Sequence, residues 1–153
     1  MAEVDRNPHA AESPDANRPR VLLAEDDDTV RFGLTALLES MGFDVFSVPD
    51  GAALLEQISS GMLGEQGEPP DVIVTDVRMP GFNALNIVEG LRDLGWHTPV
   101  IVITAFGDAE MRARVDRIDD LTLFDKPIDL ERLEQTLKEA VKRNRARSTP
   151  TAH

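Results

Sequence analysis

The sequence contains no cysteine, which removes disulfide frameworks, thiolate nucleophiles and thiolate metal sites together. Nowhere do apolar residues run on for the ~18 positions that a membrane-spanning helix needs. Residues 1–19 carry Glu3, Asp5, Pro8, Glu12, Pro14 and Asp15 and lack the apolar stretch of a secretory signal. Positive charge is also scarce. Against 28 Asp and Glu stand 16 Lys and Arg, a formal net charge of −12, which disfavours direct binding to nucleic-acid phosphates. The one basic run, Lys142 to Arg147, reads as a solvated helix end whose cations suit the helix dipole. No repeat of fixed period is visible. The expectation left by these absences is a cytoplasmic protein with no membrane segment and no direct nucleic-acid contact.

What is present fills one domain. The chain has 153 residues, 41% of them hydrophobic, enough for a packed core. Residues 1–19, rich in Pro, Asn, Asp and Ala, read as a flexible tail, and residues 142–153 as a basic C-terminal tail. Between them, over 20–141, short apolar runs alternate with helical stripes. The runs are VLLA (21–24), FDVFSV (43–48), VIVT (72–75), VIVIT (100–104) and LTLF (121–124). The stripes are Val30, Leu34, Leu37, Leu38 and Met41; Ala53, Leu54, Leu55 and Ile58; Leu85, Val88, Leu91 and Leu94; Met111, Val115 and Ile118; and Leu130, Leu133, Leu137 and Val141. Glycines and prolines over 61–70 predict a loop. Strands apolar on both faces and separated by helices predict an α/β fold, a doubly wound five-stranded parallel sheet with helices on both faces. Five strands favour the flavodoxin-like order 2-1-3-4-5.

In such a sheet ligands sit beyond the carboxyl ends of the strands. There the first strand ends in Glu25, Asp26, Asp27 and Asp28, the third in Asp76, the fourth in Thr104 and the fifth in Lys126. The order 2-1-3-4-5 makes the first and third strands neighbours, so their carboxylates converge. Clustered carboxylates take up protons or bind a cation, and a hard divalent ion such as Mg²⁺ suits oxygen ligands. An ionised Asp is an oxygen nucleophile. Its attack on a phosphoryl group brings anion against anion, a repulsion that a metal and the Lys126 ammonium would offset. Thr104 can donate a hydroxyl hydrogen bond. Each residue alone has an ordinary explanation: Asp27 or Asp28 is a helix N-cap, Thr suits a strand, and Lys126 precedes a helix start. Their joint placement at one end of the sheet is what points to chemistry.

These residues resemble the receiver domain of bacterial two-component response regulators, over about Arg20 to Val141. VLLAEDDDTVR resembles the family's acid-pair segment, DVRMPG (76–81) its phosphoacceptor motif, VITAFGD (102–108) its switch-hydroxyl segment and FDKP (124–127) its lysine–proline pair. The resemblance implies a signalling switch, not an enzyme, whose acceptor Asp76 takes a phosphoryl group from a histidine kinase or histidine phosphotransfer protein. It implies Mg²⁺ held by Asp26, Asp76 and the Arg78 carbonyl, with Glu25 acting through water. Lys126 would pair with the acyl phosphate, Thr104 would move toward it, and Ala105 would belong to the same binding set. It also implies a cis bond between Lys126 and Pro127, and a changed face at the fourth helix, fifth strand and fifth helix. That face would contact a downstream target or a second copy in a phosphorylation-dependent dimer. As given, the chain reads as a stand-alone receiver or a fragment of a larger regulator.

Three positions depart from the family pattern. Asn83-Ala84 replaces the usual Asp-Gly or Ser-Gly pair, which implies a reshaped loop. Leu123 stands where the switch aromatic lies, and Ile118-Asp119-Asp120 replaces a Gly-Ala. They motivate an alternative, a degenerate receiver acting as a phosphate-independent protein-binding module. A haloacid dehalogenase-type phosphatase would need a second acid where Arg78 stands. A flavin carrier would need a phosphate loop where the acids 25–28 would repel it.

Overall fold

The computed structural model describes residues 18–63 and 69–148. Residues 1–17, 64–68 and 149–153, with most of the expected N-terminal tail and loop centre, lie outside the described residues. Among the described residues seven strands and five helices follow one another: β1 (Arg20–Ala24), α1 (Asp28–Ser40), β2 (Asp44–Val48), α2 (Gly51–Leu63), β3 (Val72–Asp76), β4 (Arg78–Met79), β5 (Phe82–Asn83), α3 (Ala84–Asp93), β6 (Val100–Thr104), α4 (Ala109–Asp116), β7 (Leu121–Asp125) and α5 (Leu130–Ser148). The five long strands form one parallel sheet in the order β2-β1-β3-β6-β7, the flavodoxin-like arrangement with β6 and β7 as fourth and fifth long strands. The two-residue strands β4 and β5 form a small antiparallel hairpin, an addition too short to leave a period in the sequence.

Period-2 alternation explains the double winding. Val21 and Leu23 of β1 join Ile101 and Ile103 of β6 in a core closed by Leu38 of α1 and Leu133 and Leu137 of α5. Leu22 and Ala24 join Val100 and Val102 in the opposite core, closed by Leu54 of α2, Leu85 and Val88 of α3 and Met111 and Val115 of α4. Four stripe positions depart from expectation. Leu94 is 72% exposed because α3 has already ended and Leu94 is its C-cap. Val30 and Leu130, in the first turns of their helices, and Leu55 of α2 are also exposed.

The last helix does not stop near Val141 but runs to Ser148. Its arginines are tied to the amino-terminal edge of the sheet. Arg145 pairs with Asp71 at 3.0 Å, while Arg143 and Arg147 reach Asp120 at 2.7 and 3.1 Å. Arg147 also donates to the His97 carbonyl. Asp120 is the one non-glycine with positive φ (53°) among the described residues, a conformation Asp tolerates better than most residues. It occupies the Gly-Ala position missing before β7. Its carbonyl accepts from Val100 N and from Arg92.

Candidate functional site

The acid turn after β1 is built from its own backbone. Asp27 caps α1, its carboxylate accepting from Val30 N at 2.9 Å. Arg31, one turn on, donates to the Glu25 carbonyl at 2.9 Å and to Asp28 at 2.6 Å. That clamp turns Glu25 inward, where it is buried, and leaves Asp26 exposed. β3 lies beside β1, with Ala24 opposite Thr75, so Asp76 arrives one residue further along. Oxygen atoms of Glu25, Asp26 and Asp76 all lie within 4.8 Å of one another.

The electrostatics follow from that crowding. Burial is the largest influence on Glu25, and with the hydrogen bond to Asp76 it pushes the carboxyl up to about 7, against the opposing pull of Asp27 N–H and Lys126. Glu25 therefore holds a proton up to about neutrality, and a cation joining the three carboxylates would compete with it. Three hard oxygen donors with one exposed member fit a small divalent ion that keeps several waters. Residues Glu25, Asp26 and Asp76 would hold it.

On the other side of Asp76 stands β6. Asp76 is paired with Ile103, and Val77 N donates to the Ile103 carbonyl. Lys126, beyond β7, donates its N–H to the Thr104 carbonyl and brings Nζ to 3.8 Å from Asp76 Oδ1. The Lys126–Pro127 bond is cis. A cleft of about 330 Å³ is lined by Asp76, Arg78, Thr104, Ala105, Phe106, Asp108 and Lys126. The structure thus places Asp76, Arg78, Thr104, Ala105 and Lys126 on one cleft and Glu25 and Asp26 against the same carboxylate.

Two lining residues were not singled out from the sequence. Asp108 caps α4. Phe106, 86% exposed, donates its N–H to Thr104 Oγ1 at 3.2 Å. An aromatic ring in a polar loop two residues past a strand-end hydroxyl was the available signal. The loop after Asp76 also closes differently from expectation. Its left-handed residue is Gly81 (φ 78°), and Asn83 caps α3 through Leu85 N. Ala84 enters the helix directly, with its N–H on the Val77 carbonyl, so no glycine is needed there. The Phe82 ring rests on Gly51, where a Cβ would stand 2.1 Å from it, and this contact seats the hairpin that carries Arg78.

Residues 21–138 match the family described as "Response regulator receiver domain". Among characterised relatives, the transcriptional regulatory protein FixJ of Azorhizobium caulinodans is 37% identical over 109 residues, covering 71% of this chain and 48% of that protein. Sporulation initiation phosphotransferase F of Bacillus subtilis is 24% identical over 119 residues, covering 78% of this chain and 90% of that one. The chain thus spans about half of the first relative and most of the second. Among solved structures, the receiver domain of the Francisella response regulator 1452 superimposes with a TM-score of 0.71 at 27% identity, covering 82% of this chain and 98% of that one. No helix among the described residues is long and apolar enough to cross a membrane.

Proposed function

The chain belongs to the response regulator receiver domain family, which signals through phosphorylation, and we propose that its own phosphoacceptor is Asp76. The observation that carries the reading is the position of that carboxylate, between the Glu25–Asp26 acids and Lys126 Nζ. A histidine kinase or histidine phosphotransfer protein is the donor. An Asp76 oxygen attacks phosphorus in line; the O–P bond forms as the P–N bond to imidazole breaks, and the released electron pair returns to the ring nitrogen. Asp26, Asp76, the Arg78 carbonyl and, through water, Glu25 would hold Mg²⁺, which would supply the positive charge that lets two anions meet. Lys126 offsets the charge carried by the transferred group, and Thr104 donates to one of its oxygens. Ala105 leaves room beside them. The protein turns over no substrate of its own beyond gaining and losing this phosphoryl group.

The output we propose is a change in the face formed by α4, β7 and α5, which binds a downstream protein or a second copy. The protein works in the cytoplasm as a monomer or a phosphorylation-dependent dimer. Its arginines at 143, 145 and 147 are engaged by Asp71 and Asp120, which weighs against direct nucleic-acid contact. Residues 20–141 form the signalling domain, with the end of α5 as its anchored continuation.

Intact-protein mass after incubation with Mg²⁺ and phosphoramidate tests the reading, with Asp76→Asn alongside. One phosphoryl adduct in the wild type and none in the variant is the expected result. No adduct in the wild type, with partner binding unaffected by Asp76→Asn, would leave the phosphate-independent binding module in its place.

A further inference from the structure

Position 123 is a leucine of β7, half-buried beside Gly107 of the β6–α4 loop, so an aromatic ring is not what links the cleft to α4 there. Another connection occupies the space. Asp125, directly before Lys126, forms an ion pair with Arg112 of α4 at 2.5 Å. The backbone of the β6–α4 loop lies against that pair. A Cβ on Gly107 would stand 2.8 Å from Asp125 Oδ1 and 3.1 Å from the Arg112 guanidinium. Thr104 faces Asp125 across the β6–β7 ladder, and its hydroxyl oxygen accepts from Phe106 N. The elements therefore run without a break from Thr104 through Phe106 and Gly107 to Arg112 and Asp125, and from there into α4.

We propose that the Arg112–Asp125 ion pair, with Gly107 against it, is the positioning element that passes the state of the Asp76 cleft to α4. The proposal rests on Asp76 being the phosphoacceptor. Thr104 Oγ1 accepts from Phe106 N and keeps its own hydrogen for a phosphoryl oxygen. When it turns toward that oxygen, its acceptor position shifts and the 106–107 backbone follows. Gly107 has no free space on the side of the pair, so the shift falls on the tips of Arg112 and Asp125. Those side chains are 49% and 43% exposed, and an ion pair so open to water is weak and screened by salt. That weakness suits a contact that has to open. α4 is otherwise held by its buried Met111 and Val115 and, on its other flank, by Arg114, which pairs with Glu89 of α3 at 2.8 Å, so release of the pair frees the β7 side of α4 while the α3 side stays tethered.

Hydrogen exchange of peptides covering 105–116, measured with and without the phosphoramidate adduct verified by mass, tests this. In the wild type the adduct should raise exchange over α4 by about threefold or more. Arg112→Ala and Asp125→Asn should take up phosphate as the wild type does, show raised exchange before modification, and lose most of the further change. Gly107→Ala, which displaces both tips while removing neither charge, should behave in the same direction. The double exchange Arg112→Asp with Asp125→Arg should restore the response, which a general loss of stability would not allow. An adduct-dependent change of equal size in wild type and single variants overturns the proposal, as does an adduct with no change over α4. Failure of the wild type to form an adduct would instead remove the phosphoacceptor reading, and this proposal with it.

Discussion

Lys126 Nζ stands 3.8 Å from Asp76 Oδ1, and from the opposite side Glu25 and Asp26 bring their oxygens to the same carboxylate. Asp76 is thus the meeting point of an anionic wall and a single ammonium. The two sides have separable tasks. Lys126→Ala should leave phosphate uptake from phosphoramidate intact but slower, on the order of 10²-fold, because the acids and their cation remain. It should also lose the adduct-dependent change over α4. Time-resolved intact mass reads the first effect and hydrogen exchange the second. Uptake abolished as fully as in Asp76→Asn would contradict this division.

Glu25 gives a pH dependence whose sign is fixed by its raised value of about 7 against an ordinary 4.5. Between those values the folded protein holds the proton more tightly than the unfolded chain does. Stability from this group is therefore full below about 4.5 and is lost as pH rises through about 7, by an amount on the order of 1–3 kcal/mol. Urea melts without divalent ions from about pH 5 to about pH 8 should show the wild type falling relative to Glu25→Gln. Added Mg²⁺ should flatten that relative fall. A wild type that gains on Glu25→Gln as pH rises would refute it.

Asp120 is both a conformational and an electrostatic anchor. Burial raises its carboxyl, but hydrogen bonds from Arg143 and Arg147 outweigh that and hold it below the ordinary value. Asp120→Ala should lose both bonds and strain the positive φ, costing about 1–3 kcal/mol. Asp120→Gly should recover part of that by relieving the backbone alone. Chemical denaturation of the three proteins, in the order wild type, Gly, Ala, is the check. Equal stability of all three would mean that the arginines hold nothing.

Gly51→Ala should be costly for a different reason. The new methyl would overlap the Phe82 ring, whose Cγ lies 2.1 Å from the Cβ position. The ring has to move, at about 1–3 kcal/mol, and with it the hairpin that carries the Arg78 carbonyl. We expect weaker Mg²⁺ binding in titrations followed by calorimetry, and Phe82→Ala, which removes the ring that seats the hairpin, should weaken it likewise. Unchanged affinity in Gly51→Ala would show that the hairpin is seated by other contacts.

Much of this was readable in the sequence because the signals were periodic or terminal. Alternating VLL and VIVI runs put both cores on the page, and acids, hydroxyl and lysine at strand ends located the cleft. The parts that escaped depend on contacts between distant positions. Arg143 and Arg147 look like a solvated basic run until Asp120 is brought beneath them. Leu94 fits the stripe of α3 by spacing and lies outside it because the helix stops one residue earlier. Arg112 and Asp125 lie thirteen positions apart with no pattern to join them. Gly107 gives no sign in sequence that its missing side chain makes room for their tips.

The alternation along β1 has a practical meaning for anyone altering this protein. Leu22 and Leu23 are bonded neighbours in the chain, yet one packs against α2, α3 and α4 and the other against α1 and α5. The sheet is a partition wall, and the two compartments can be remodelled one at a time. Substitutions in opposite compartments should combine as independent changes, whereas two in the same compartment should compete for the same space, however far apart their numbers are.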